Sequence, residues 1–501
     1  MGPLNRSSLI KNLEIPSNSW DIIVVGGGAT GLGCALDATS RGFKTLLLEQ
    51  SDFAKGTSSR STKLIHGGVR YLRQGNLPLV FEALKERGLL MKNAPELVKR
   101  LSLIVPAYSH WDRPYYGIGL KFYDLMAGKY GIGSSRSLNK EQTLKYLPTL
   151  NPDKLRGGVL YHDGQFDDAR LAITIAQSIV NLGGTALNYV HVDGLLKAQE
   201  KICGVVARDC ESGQTYELKS KIVINATGVS SDAFSLQDDP SHLDRMTLSQ
   251  GAHIVLDRSY LPGESALMVP KTSDGRVLFA IPWEDRVLVG TTDTPVDGYE
   301  LDPMPFEEEI DFLLSHASQY LTKQPNTKDI SSMFAGLRPL VGNQNSKKTS
   351  QINRGHVIDT SESGLITIMG GKWTTFRKMG EDVIAHSIKL AKLENRQSTS
   401  ASIELQSPVN SLNVEDESSP IHARLSYTKG DVIRSIRYEM ARTLEDVLAR
   451  RTRALFLDAR ASIDMAEAVS SMITEELGQS ETWRQQQITS YLKLAQGYFL
   501  D

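Results

Sequence analysis

Cysteine is scarce in this chain: 3 in 501 residues, namely Cys34, Cys203 and Cys210. The number is odd, and no C-x-x-C pair or Cys/His cluster accompanies it. That excludes a disulfide framework and a zinc site, and it points to a reducing compartment. An excess of positive charge is missing too. Lys plus Arg is 56 against 58 for Asp plus Glu, a net charge of −2. A nucleic-acid partner would want a clear basic surplus. No apolar run reaches the roughly 18 residues that a membrane-spanning helix requires. The opening segment, MGPLNRSSLIKNLEIPSNSW, lacks the apolar core of a signal peptide. Pro3 and Arg6 break the myristoylation pattern after Gly2. No internal repeat stands out.

What is present begins with a glycine-rich turn. The length implies two or three domains, because one hydrophobic core does not grow that large. DIIVV reads as a buried strand, GGGATG as a turn, LGCALDATSRG as a helix, and FKTLLLEQ as a second strand ending in Glu49. Gly26, Gly28 and Gly31 form G-x-G-x-x-G inside this βαβ unit. Their roles are a tight turn, a close approach to a pyrophosphate, and tight packing of helix on strand. Glu49 stands where a carboxylate can accept from ribose hydroxyls. The motif does not separate NAD from FAD. VINATG, ending in Gly228, and GLITIMGGKWTT, with Gly371, Lys372 and Thr374, lean to FAD. Each is a strand running into a small-residue turn, suited to a cofactor touched by distant segments.

RSTKLIHGGVRYL places His66, two glycines, Arg70 and Tyr71 within six residues. Leu393 to Pro420 is rich in Ser, Asn, Gln and Glu and reads as a linker. Beyond it, Ile433, Ile436, Met440, Leu444 and Val447 recur at helical spacing, which predicts a long basic amphipathic helix running to about Arg460 and a small all-α domain. Its Glu439, Glu445 and Asp446 offer partners for the arginines, so a membrane-facing basic helix is one reading and internal pairing the other. The stretch from His110 to Gly131 mixes Trp111, Tyr115, Tyr116, Phe122 and Tyr123 with Arg113, Lys121 and Lys129. That composition suits a membrane interface or an aromatic core face.

Taken together, VVGGGATGLGCALDATSRG, LLEQSDFAKGTSSRSTKLIHGGVRYL, YHDGQFDDAR, VINATG, TSDGRVLFAIPW, GTTDTP, AGLRPLV, SGLITIMGGKWTTFRKMGED and EMARTLEDVLARRTR resemble the FAD-dependent, membrane-associated glycerol-3-phosphate dehydrogenases, which pass electrons to quinone. The region from about 395 to 425 looks shorter than the family's, which bears on the C-terminal cap and any dimer contact it makes. Some eukaryotic relatives end in calcium-binding EF-hands; no such loop occurs here.

The resemblance implies an α/β fold: a Rossmann-like FAD-binding domain interleaved with an α+β substrate domain, plus a C-terminal all-α cap. The expected divisions are 19–95, 155–245 and 335–395 for FAD, 96–154 and 246–334 for substrate, 396–420 for the linker, and 421–501 for the cap. It implies non-covalent FAD held by the glycine loop, Glu49, Thr57, Ser58, Ser59, Ser61, Thr62, Gly228, Gly371, Lys372 and Thr374. Glycerol 3-phosphate would be gripped by Arg70, Tyr71, Arg338, Arg354 and Lys372, with His253 as the base and His66 as second candidate. GTTDT, Gly290 to Thr294, is expected to shape the substrate domain. No metal is expected. The protein would lie on the cytoplasmic side of a membrane, attached peripherally and serving quinone, and the resemblance allows a homodimer. An oxidase passing electrons to oxygen would share these motifs; a flavin-binding protein without turnover is the non-enzymatic alternative.

Overall fold

The computed structural model describes residues 4–15, 19–73, 75–342, 355–406 and 419–500. Two sheets organise most of the chain. In the first, Trp20–Val25 lies parallel between Thr45–Leu48 and Thr215–Asn225, with Thr185–Leu187 and Ile366–Gly370 continuing the parallel set outward. His356–Thr360 closes one edge antiparallel. The first two strands are almost wholly buried, as expected of parallel strands covered on both faces. Helices Ala29–Ser40, Asp168–Asn181 and Phe376–Leu390 contribute to the core on this sheet. Thr215–Asn225 serves two purposes: its first half pairs antiparallel with Lys201–Asp209, its second half runs parallel to Trp20–Val25.

The second sheet is centred on the long antiparallel pair Met246–Asp257 and Ile330–Val341. It continues through Arg286–Gly290, Leu278–Trp283, Ser265–Val269 and Val98–Ala107 to Gly157–Phe166 and Leu64–Ile65. The expected divisions at 155 and 335 do not coincide with the sheets. Gly157–Phe166, expected with the nucleotide domain, pairs with Val98–Ala107 along its whole length, and Ile330–Val341 runs through the division at 335. A strand pattern in sequence states that a strand forms; it does not name the partner.

The long C-terminal helix is corrected. Lys429–Tyr438, a π-helical turn Asp446–Arg451, Ala454–Leu457 and Ala459–Leu477 replace it. The chain takes positive φ at Met440 and Arg453, 58° and 60°, and Asp458 caps the next helix by accepting from Ala461 N–H. The arginines expected on an outer basic face are inside: Arg450, Arg451 and Arg453 are buried. Arg451 makes a two-pronged contact with Asp52 at 2.6 and 2.9 Å. Arg450 shares that carboxylate and also bonds Glu445 and Asp446. Buried charge requires such pairing, and it overrides helical continuity. These helices share an apolar core with the second sheet, which contributes Val255, Trp283, Leu288 and Phe334. The start of the expected linker is docked, with Ser400 and Leu405 buried and Ser400 Oγ donating to Asp37. Residues 407–418 lie outside the described residues.

Candidate active site

Two clefts of about 300 Å³ each adjoin where the sheets meet. Thr57, Pro339, Gly370, Gly371, Lys372 and Trp373 line both.

The first cleft opens over the end of Trp20–Val25 and the N-terminus of helix Ala29–Ser40. Gly26 has φ +108°, and a Cβ on Gly31 would sit 1.9 Å from the Gly26 carbonyl oxygen. Only glycine permits that turn and that contact. Gly31 therefore packs the loop and is not among the residues lining this cleft, while Gly26, Gly28 and Gly228 are. Ser58 Oγ accepts from Ala29 N–H at 2.9 Å, and Trp373 Nε1–H donates to the Ser58 carbonyl at 2.8 Å. Glu49 accepts from Gly27 N–H at 2.6 Å and Ser51 N–H at 2.8 Å. Burial raises its pKa against those two bonds. It thus ties the glycine turn to the second strand as well as facing the cleft. A helix N-terminus, a glycine turn and a strand-end carboxylate fit the phosphates and ribose of a dinucleotide.

The second cleft is lined by side chains from both sheets. His253, on the central strand, is buried and stacks on Phe334 with ring centroids 4.8 Å apart. Its Nε2 lies 2.9 Å from Thr62 Oγ1. Burial, then the charges of Lys63 and Arg338, hold its pKa well below the usual imidazole value, so the ring is neutral. His66 also lines the cleft, half-buried, and its carbonyl accepts from Thr374 Oγ1 at 3.2 Å. Arg338 donates to Gln250 O at 3.2 Å and to Thr291 Oγ1 and Thr292 O at 3.0 Å each. Asp293 Oδ1 lies 3.6 Å away. The GTTDT segment thus aims this guanidinium. Lys372 Nζ sits 3.8 Å from the centre of the Tyr71 ring, a cation–π contact.

The structure gathers His253, His66, Tyr71, Arg338, Lys372, Thr57, Ser61, Thr62, Gly371 and Thr374 around this second cleft. It does not bring Ser59 there. Ser59 is buried, and its carbonyl accepts from Lys63 Nζ and Arg453 Nη2, both at 2.8 Å. Arg70 belongs to the helix Val69–Arg73, with its side chain outside the described part, and Arg354 lies outside the described residues. Sequence reasoning missed the buried group beneath the cleft. Asp168 Oδ2 accepts from Lys63 Nζ at 2.7 Å, from Ser61 Oγ at 2.7 Å and from Ser61 N–H at 3.0 Å, and its Oδ1 meets Arg453 at 3.2 Å. Asp168 and Arg453 lie in two of the resembling segments, YHDGQFDDAR and EMARTLEDVLARRTR, but nothing in their spacing announces a shared partner 285 residues apart.

Comparison with known proteins bears on this geometry. Residues 21–377 match the FAD dependent oxidoreductase family, and residues 369–484 match the C-terminal domain of alpha-glycerophosphate oxidase. The mitochondrial glycerol-3-phosphate dehydrogenase of Mus musculus is 38% identical, with 99% of this chain and 77% of that protein covered. The corresponding Saccharomyces cerevisiae protein is 36% identical, covering 96% and 90%. The crystal structure of glycerol-3-phosphate dehydrogenase from Bacillus halodurans, complexed with FAD, superposes with a TM-score of 0.78 at 30% identity, covering 98% and 97%. A Mycoplasma pneumoniae glycerophosphate oxidase, at 16% identity and TM-score 0.59, shares the fold. The α/β architecture with a helical C-terminal domain is that of these proteins, and FAD is the cofactor that the first cleft fits. The chain belongs to the FAD-dependent glycerol-3-phosphate dehydrogenases.

Proposed function

We propose that the protein oxidises glycerol 3-phosphate to dihydroxyacetone phosphate and passes the electrons to a membrane quinone. The observation that carries the first part is the convergence of Arg338, Lys372, His253 and His66 on one cleft that shares a wall with the dinucleotide cleft. Bound FAD, held non-covalently, supplies the hydride acceptor and can release electrons singly. The chain's own residues supply the rest. Arg338 and Lys372 present cations to the phosphate, and Arg338 arrives with its plane already fixed by Thr291 and Thr292. Arg70 and Arg354 complete the phosphate grip in this reading. The substrate hydroxyl gives up its proton to a neutral imidazole, that of His253, with His66 the second candidate. The loop Thr57 to Thr62, with Gly371 and Thr374, flanks the cofactor. Anaerobic glycerol 3-phosphate should bleach the flavin absorbance; a flavin that stays oxidised would remove the reading.

The electron acceptor rests on a different feature. Helix Asp112–Ala127 buries Leu120, Tyr123 and Met126, but Trp111, Tyr115, Ile118, Phe122 and Leu125 are exposed on a recurring three- and four-residue spacing, Trp111, Ile118 and Leu125 by 74% or more. Lys121 and Lys129 are exposed beside them. The neighbouring helix Leu77–Asn93 exposes Leu77 and Phe81 as well. An apolar stripe flanked by cations suits the surface of an anionic bilayer. No described helix is long and apolar enough to cross a membrane, so attachment would be peripheral. In the basic C-terminal segment Arg450, Arg451 and Arg453 are buried, which favours the aromatic stripe over that segment for this role. Protein should sediment with anionic liposomes, and an Ile118→Glu, Leu125→Glu double variant should stay in the supernatant with its flavin reduction intact. Equal sedimentation of both would strip the stripe of this role. The match of residues 369–484 to an oxidase-derived domain keeps oxygen as a second acceptor; stoichiometric peroxide in air with no anaerobic turnover on a quinone analogue would establish it.

A further inference from the structure

His253 presents one nitrogen to its neighbours. Its strand lies between Arg286–Gly290 and Ile330–Val341, with Gly290 and Phe334 in register on either side. The ring fills the space that Gly290 leaves: a Cβ there would come within 2.1 Å of His253 Cδ2 and 2.8 Å of Nε2. Phe334 covers one ring face at an interplanar angle of 14°. His253 is 2% exposed, and Nδ1 is buried without a hydrogen-bond partner among the described residues. Nε2 lies 2.9 Å from Thr62 Oγ1, and Thr62 lines the second cleft.

The position of Thr62 is enforced from both sides along the chain. Ser61 donates through N–H and Oγ to Asp168 Oδ2, and Lys63 Nζ donates to the same oxygen. Arg453 holds the Ser59 carbonyl and the other oxygen of Asp168. A carboxylate and a cation from two distant segments therefore pin the residues before and after Thr62. That is a large buried investment for a hydroxyl whose only role is to touch a flavin edge, and buried charge networks of this kind are costly unless fully paired.

We propose that Thr62 is a proton relay: it takes the proton of the substrate's secondary hydroxyl on Oγ1 while delivering its own proton to His253 Nε2. This rests on the reading of His253 as the base. The substrate O–H bond breaks as a new Thr62 O–H forms, the old Thr62 O–H breaks as Nε2–H forms, and the hydride leaves for FAD, the oxidant of the family's reaction. The relay requires the tautomer of neutral His253 that carries its proton on Nδ1 and turns the Nε2 lone pair toward Thr62. Charged groups face the imidazole from two elements: Lys63 from the loop and Arg338 from Ile330–Val341. Burial first, and then these two groups, disfavour the imidazolium, so the neutral ring is the resting state, and the proton returns through Thr62 to solvent in the cleft after turnover.

The test uses the FAD-loaded protein, with anaerobic flavin reduction by glycerol 3-phosphate followed in a stopped-flow instrument. Thr62→Val keeps shape and removes the hydroxyl. Measured per bound flavin at saturating glycerol 3-phosphate, it should slow reduction by about the same factor as His253→Asn, on the order of 10²–10⁴. The Thr62→Val, His253→Asn double variant should be no slower than either single one, because both changes cut the same route. Thr62→Ser should recover most of the rate. In the slow variants the rate should rise with pH as solvent base takes over. Near-normal reduction in Thr62→Val beside a slow His253→Asn overturns the relay and leaves the base standing. Multiplying losses in the double variant also overturn it, since two independent roles would then be in play. Near-normal rates in both single variants remove His253 as base and the relay with it.

Discussion

The two adjoining clefts are built by different means. The dinucleotide cleft is chiefly backbone: a glycine turn, a helix N-terminus, and a carboxylate spent partly on two backbone N–H groups. The second cleft is chiefly side chain. Its cations and imidazoles come from segments near residues 66, 253, 338 and 372, and a second layer of bonds holds part of it: Arg338 donates to Thr291 and Thr292, and Asp168, itself met by Arg453 of the C-terminal region, holds Ser61 and Lys63 on either side of Thr62. Holding a cofactor asks for close approach, which glycine provides. Chemistry on a small anion asks for charges at fixed places, and those need a supporting layer.

If that contrast holds, the largest effect comes from a single methyl group in the first cleft. Gly31→Ala places a Cβ 1.9 Å from the Gly26 carbonyl oxygen, so either the turn or the helix must move. We expect purified Gly31→Ala protein to carry almost no FAD, read from the ratio of flavin to protein absorbance. Substitutions confined to the second cleft should leave that ratio near one flavin per chain. A flavin-loaded Gly31→Ala protein would show that the turn is softer than its packing indicates.

The same contrast explains what could be read in advance. The βαβ unit was legible because its parts are contiguous and glycine has few other reasons to stand at Gly26, Gly28 and Gly31. Glu49 was legible as a strand-end carboxylate, though its bonds to Gly27 and Ser51 were not. In the second cleft, His253, Arg338 and Lys372 came from the family resemblance, and no periodicity would have singled them out among ten histidines and many cations. The Asp168 and Asp52 clusters stayed hidden because charge in a polar segment reads as solvated surface. Only the fold brings Arg451 to Asp52, 399 residues away in sequence. The helix break at Arg453 went unseen for the same reason: its cause is a tertiary partner.

The next effect is on stability. Arg451→Met leaves Asp52 buried with one of its two cations gone, and breaking such a pair costs about 3–5 kcal/mol. Denaturant unfolding, followed by flavin fluorescence, measures it. The pH dependence has a definite sign. Burial acts to raise the Asp52 pKa, but Arg451 and Arg450 overcome it and hold it below the ordinary 3.8. A carboxyl depressed in the folded state contributes stability that is complete above its ordinary value and is lost as pH falls through the folded one. The gap between wild type and variant should thus stay constant from neutral pH down to about 4 and narrow only below it. A gap that closes already near pH 6 would assign the loss to another group.

The smallest expected effect, and the sharpest on the substrate, concerns Arg338. If it grips a phosphate, its charge-assisted bonds should be worth about 1.5–3 kcal/mol. That is a loss of roughly 10- to 150-fold in kcat/KM for Arg338→Ala, with flavin content unchanged. Arg338→Lys should recover little. The guanidinium already donates to Gln250 O, Thr291 Oγ1 and Thr292 O, and an ammonium cannot satisfy that planar set and turn toward a phosphate as well. Unphosphorylated glycerol separates the two roles of this residue. Its turnover should hardly change if Arg338 acts on the phosphate, so any preference for the phosphorylated substrate should shrink. Equal proportional losses on both substrates would mean that Arg338 serves the second sheet, holding the turn from Thr291 to Asp293 against Gln250, and that the phosphate grip belongs to Lys372 with Arg70 and Arg354.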